Sequence, residues 1–202
     1  IVWKILGVAI AGQGRTPEAI PPMQKAVQLE PKDGEAHRNL AKAFKVLGQF
    51  NNAEAHFRKA AAINPQDTQS YTEIAKILNS QSKYKEAEKL CRKAITFKYD
   101  MGEVHNQLGA SLLSQQQFSA AEDSLRQAIV LSPNLDDAHN NLGMTLTHQG
   151  RYIEADQCYR LAINCNPHYA NAYCNLGNNF AHQGQWEESE AAYRKAIEID
   201  PQ

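Results

Sequence analysis

The chain has 202 residues, of which 43% are hydrophobic, with 21 Lys and Arg against 22 Asp and Glu. That apolar content can bury a sizeable core, which excludes a disordered chain, and a net charge of -1 excludes a global field that would recruit nucleic acid or an anionic membrane. The longest apolar run, Ile5 to Ala11 interrupted by Gly7, falls far short of the roughly 20 residues that cross a bilayer, so no membrane span is expected.

Taken in chain order, the elements are six helical hairpins, at approximately 1–33, 34–67, 68–101, 102–135, 136–169 and 170–202. Their register is set by Ala26, Ala60, Ala94, Ala128, Ala162 and Ala196, which recur every 34 residues without an insertion. Leu6, Leu40, Ile74, Leu108, Leu142 and Leu176 share the same frame, and each is followed by Gly or Ala. A second small ladder runs Ala19, Ala53, Ala87, Ala121, Ala155 and Ser189, while Pro31, Pro65, Pro133, Pro167 and Pro201 end five of the six units. Within one unit, His139, Leu142, Gly143 and Leu146 fall at i, i+3, i+4 and i+7, which is one helical face; Ala155, Tyr159 and Ala162 repeat that spacing after a turn at Gly150 and Arg151. Small residues at Gly143 and Ala155 let the two helices approach, and Tyr159 fills the space beside them. One hairpin cannot bury both faces alone, so neighbours must stack into a solenoid.

These positions resemble the tetratricopeptide repeat along the whole chain. Trp3-Lys4-Ile5-Leu6-Gly7 and Tyr173-Cys174-Asn175-Leu176-Gly177 carry its opening signature almost intact, with His37, Tyr71, His105 and His139 at the Trp position elsewhere. The resemblance implies an all-α, right-handed α-solenoid of six helix-turn-helix units. Departures occur in the first and middle units. Pro21 and Pro22 fall inside the second helix of unit one, which is expected to kink or start late. Ser82 and Gln116 replace turn glycines, and Tyr99 replaces a terminal Pro. The first helix, Ile1 to Ile10, is apolar nearly all round and is expected to be covered on both sides.

No phosphate-binding loop, dinucleotide fingerprint, His-Glu-x-x-His or nucleophile elbow is present, so no catalytic residue, cofactor or metal is assigned. His37, His105 and His139 fall on the packing ladder and read as core; His148 and His182, one repeat apart, are expected side by side on the inner surface. Cys91 reads as a small buried hydrophobe. Cys158 and Cys165, seven residues apart on one helix, stand ~10 Å apart by its rise, too far to bridge. None of the four cysteines forms a Cys-x-x-Cys pair, no basic segment or cleavage pattern precedes the first apolar run, and the expected compartment is the cytoplasm.

The resemblance further implies that the first helix of each unit lines a concave groove whose non-core positions meet a protein or peptide ligand. In units two and three those positions include Arg38, Asn39, Lys42, Glu73 and Lys76, a mixed and somewhat basic set. In units four to six they become Asn106, Gln107, Asn140, Asn141, Asn171, Asn175 and Asn178. An Asn side chain carries two donors and an acceptor, so a row of them can bond an extended peptide backbone whatever its side chains. Asn39, Asn141 and Asn175 share one repeat position, with Glu73 and Gln107 between, which is similar to the asparagine ladder of the O-linked N-acetylglucosamine transferases. A carboxylate clamp of the kind that captures chaperone tails is not matched, because Val8, Gln69 and Glu73 occupy three of its five positions. The leading expectation is a protein-interaction scaffold; the alternatives are the substrate-recruiting arm of a larger enzyme, and head-to-tail association of copies through exposed terminal helices.

Overall fold

The computed structural model describes residues 1–97 and 101–201. Tyr99, the substitute for a terminal proline, lies outside them. Among the described residues the chain forms twelve α-helices and no strand. Unit one is α1 (Val2–Gly12) and α2 (Thr16–Leu29), unit two α3 (Gly34–Val46) and α4 (Phe50–Ile63), unit three α5 (Thr68–Ser80) and α6 (Tyr84–Phe97). Then follow α7 (Gly102–Ser114) and α8 (Phe118–Leu131), α9 (Asp136–His148) and α10 (Tyr152–Cys165), α11 (Ala170–His182) and α12 (Trp186–Ile199). Each helix packs on its chain neighbours, and α5, α7, α9 and α11 also pack on one another in series, which produces the right-handed solenoid.

The turn inside each unit closes its own backbone bonds. In unit two the Gly48 amide donates to the Lys45 carbonyl and the Gln49 amide to the Phe44 carbonyl, a Schellman pair that needs a left-handed residue at Gly48, where φ is +70°. Ser82 and Gln116 adopt the same conformation, each with φ of 59°, so the two turns that lack glycine keep the geometry at a conformational cost. Between units, Asp33 and Asp67 cap α3 and α5 by accepting from the Ala36 and Ser70 amides at 2.9 and 3.3 Å.

The alanine ladder forms the contact within each hairpin: Ala60, Ala94, Ala128 and Ala162 are fully buried. Tyr159 and Phe57 are the largest fully buried side chains. Leu90 packs against both halves of the core, so the apolar interior runs on through the stack.

One expectation changes here. The second helix of unit one does not start late: α2 begins at Thr16, in register with the second helices of the other units, and runs 14 residues through Pro21 and Pro22. Burial of Ala19, Pro22, Met23 and Ala26 holds the helix despite the two backbone donors it lacks. On α1, Val2 and Ile5 are 77% and 61% exposed, and Gly7 is its one buried residue among those described.

Candidate peptide-binding groove

The inner face is built from α1, α3, α5, α7, α9 and α11, whose polar side chains reach from one unit to the next at separations of 27 to 35 residues. In the N-terminal half these links are ionic. Lys4 bonds Asp33 and Glu35, both at 2.8 Å, and the two carboxylates raise its pKa, Asp33 contributing most. Arg38 meets the buried carboxylate of Asp67 at 3.0 Å, Lys45 meets Glu73, and Lys76 meets Glu103 at 3.4 Å. Lys42 differs, since its ammonium is exposed and donates to an amide oxygen, Gln69 Oε1, at 3.2 Å.

In the C-terminal half the links are amide to amide. Asn141 Nδ2 donates to Asn106 Oδ1 and Asn175 Nδ2 donates to Asn140 Oδ1, each at 2.9 Å. Asn79 Nδ2 reaches both the backbone carbonyl and the side-chain oxygen of Gln107 at 3.2 Å, while Ser111 donates to Asn79 Oδ1 at 2.8 Å. These bonds place the expected groove residues in three groups. Asn106 and Asn140 are buried as acceptors for the following unit, and Gln107 is buried as an acceptor for the preceding one. Asn39, Asn141 and Asn175 are half-buried, and Lys42, Asn171 and Asn178 are exposed on the inner face, where Asn178 Oδ1 accepts from the Tyr193 hydroxyl at 2.6 Å. Arg38, Glu73 and Lys76 are half-buried and occupied by their ion pairs. The row Asn39, Glu73, Gln107, Asn141 and Asn175 is therefore interrupted in its middle, where Glu73 is engaged by Lys45 and Gln107 is buried.

Position-by-position reading of single hairpins missed Asn79, Ser111, Thr147 and Asn179 as cross-links. Their signal is present as polar residues at two helix positions, Asn79 and Thr147 at one and Ser111 and Asn179 at the other, with bonded partners 28 to 32 residues apart in neighbouring units.

The histidines divide in a similar way. His37, His105 and His139 are buried, with His37 and His139 bonding the carbonyls of Pro31 and Pro133. His37 Nδ1 also lies 2.9 Å from His56 Nδ1. His148 and His182 are not paired side by side on the inner face. Each stacks on the aromatic residue that opens the second helix of the preceding unit, His148 on Phe118 at 5.2 Å and His182 on Tyr152 at 5.6 Å, because that ring is the nearest apolar surface across the junction. The described cysteines are free; burial pushes the Cys91 thiol up to about 12 and the Cys158 thiol up to about 11, so neither is a thiolate near neutrality. Among the described residues no cluster of His, Cys, Asp and Glu has the makings of a metal site, and no helix is long and apolar enough to cross a membrane.

Stacked antiparallel hairpins whose first helices share one continuous polar face define an α-solenoid repeat protein. Three models of the tetratricopeptide repeat match residues 11–69, 68–98 and 134–202, together most of the chain, and the chain belongs to the tetratricopeptide repeat family. No curated protein matches it significantly. Among solved structures it is similar to YrrB, described as a TPR protein with an unusual peptide-binding site, at 25% identity over 89% of this chain and 92% of that one, with a TM-score of 0.63. It is also similar in fold to PilF of Pseudomonas aeruginosa, at 20% identity, 99% and 91% coverage and a TM-score of 0.79. A chain of the APC/C Cut9–Hcn1 hetero-tetramer matches at 16% identity over 98% of this chain and 39% of that one, with a TM-score of 0.87.

Proposed function

We propose that the chain is a non-enzymatic protein-interaction scaffold of the cytoplasm that holds an extended partner segment along its inner face. The observation that carries this reading is the graded polar surface itself. One continuous face passes from charged residues, with Arg38 and Lys76 ion-paired and Lys42 bonded to Gln69, to amides around Asn141, Asn171, Asn175 and Asn178. Asn141 and Asn175 each spend one amide hydrogen inside the stack, which leaves a carbonyl oxygen and a second hydrogen for a peptide backbone. The similarity to YrrB, a TPR protein described with a peptide-binding site, supports the same reading. The interrupted asparagine row gives the alternative of a glycosyltransferase arm no added support.

The test is a peptide-array screen of the purified chain, followed by Asn171→Ala together with Asn178→Ala. These two residues are exposed, so their removal leaves the stack intact. Each lost hydrogen bond is worth about 0.5–1.5 kcal/mol, so the double variant should bind array hits at least about fivefold more weakly. Unchanged binding would move the contact surface to the outer helices and refute the groove assignment.

A further inference from the structure

Successive junctions on the inner face are strapped from one fixed repeat position. Units two, three and five place Lys45, Asn79 and Thr147 there, and these reach Glu73, Gln107 with Ser111, and Asn179 of the following unit. Unit four fills the same place with the buried side chain of Leu113. Unit one has Ala11, followed by Gly12 where the next four units carry Val46, Ser80, Ser114 and His148. A methyl group and a hydrogen leave the junction open, and a cleft of about 360 Å³ lies between α1 and α3, walled by Val8, Met23, Ala43 and Val46, with Asn39 and Lys42 at its side. Val8 and Val46 are themselves exposed.

The charge at this cleft is also out of step with the rest of the groove. Lys4, Lys45 and Lys76 each meet a carboxylate of the next unit and Arg38 meets Asp67, which caps the next unit's first helix, whereas Lys42 reaches the neutral Gln69. Gln69 stands at the repeat position where Glu103 receives Lys76. The cleft thus combines apolar walls with an ammonium that has no ion-pair partner among the described residues.

Resting on the groove reading above, we propose that this cleft is a specificity pocket for a partner segment carrying a bulky aliphatic side chain beside an acidic one. The aliphatic group fills the gap left by Ala11 and Gly12. The neighbouring carboxylate pairs with Lys42, and Asn39 bonds the backbone between the two. A side-chain carboxylate is the assigned anion, since a segment that continues along the groove toward Asn141 and Asn175 presents no chain end at this point.

The probe is an acetylated and amidated nonapeptide, Gly-Ser-Gly-Ser-Leu-Glu-Gly-Ser-Gly, titrated into the full chain with labelled methyl groups and followed by NMR. Shifts are expected at Val8, Met23 and Val46. Replacing the peptide Leu by Ser should weaken binding at least about tenfold, and replacing its Glu by Gln about two- to fivefold. Gln69→Glu supplies Lys42 with an internal carboxylate without touching the apolar walls; it should erase the preference for Glu over Gln and keep the preference for Leu over Ser. Shifts centred elsewhere, no difference between Glu and Gln peptides, or binding only of a peptide ending in a free Leu carboxylate would each overturn the proposal. If array partners that depend on Asn171 and Asn178 persist alongside such a result, the groove reading stands without this pocket. Loss of both sinks both.

Discussion

Gly143 and Gly177 occupy the same repeat position but face different constraints, and a methyl group at each measures how tightly the hairpin contact is built. A Cβ at Gly143 would lie 2.6, 2.8 and 2.9 Å from three ring atoms of Tyr159. That ring is 2% exposed and its hydroxyl lies 3.1 Å from Thr147 Oγ1, so it cannot swing aside. A Cβ at Gly177 would lie 3.0–3.1 Å from Tyr193, which is half-exposed and bonded only to the exposed Asn178, so the two can yield together. Both substitutions gain about 1 kcal/mol of helix propensity, while overpacking costs about 1–3 kcal/mol where the neighbour is locked. Gly143→Ala should therefore be the less stable variant by about 1–2 kcal/mol, with Gly177→Ala near or slightly above the parent. At about 2–4 °C per kcal/mol for a chain of this size, their thermal midpoints by circular dichroism should differ by about 2–8 °C. Coincident midpoints, or a Gly143→Ala protein that melts above Gly177→Ala, would refute the close-approach reading of the small-residue ladder.

The left-handed turns make a separate prediction: Ser82→Gly and Gln116→Gly should each stabilise the chain by about 0.5–1 kcal/mol, net of the entropy glycine gains when unfolded, and a lower urea midpoint would contradict the strain argument. The His37 and His56 pair predicts a pH dependence. Burial, then the charges of His37 and Lys59, pushes His56 down from 6.5 to about 4. The unfolded chain therefore takes up this proton before the folded one does, and stability should fall as pH drops from 6.5 toward 4. Urea midpoints across that range should show a shallower decline in His56→Gln; an identical decline would assign the acid sensitivity elsewhere.

Much of the fold was legible because the alanine positions from Ala26 to Ala196 recur without an insertion, so one frame assigns every helix and turn. The exceptions were local rules overridden by neighbours. Pro21 and Pro22 argued for a delayed helix, but the buried contacts of Ala19 and Met23 outweigh two missing amides. His148 and His182 share a helix face in repeat register, yet each takes the aromatic ring across its own junction. The groove was less legible, for a geometric reason. Periodicity within one helix says which face Asn106 and Asn140 occupy, but not that the next unit's Asn141 and Asn175 lie over them. Such residues are exposed on a single hairpin and become interior only when the hairpins stack. Asn171 and Asn178 kept their exposure, whereas the central amides became part of the stack.

The capping arrangement between units has a consequence for how groove length changes. Asp33 caps α3 and Asp67 caps α5 through the same carboxylate-to-amide bond at equivalent positions. Excising residues 34–67 would set Asp33 directly before Thr68, where it inherits the role of Asp67, and the backbone bonds of every remaining intra-unit turn would be untouched. Gain or loss of a whole unit is thus a nearly seamless operation on this chain, and a shift by any other number of residues is not. The reach of the inner face along a partner is quantised by the hairpin, and variation among arrays of this kind should proceed in whole-unit steps.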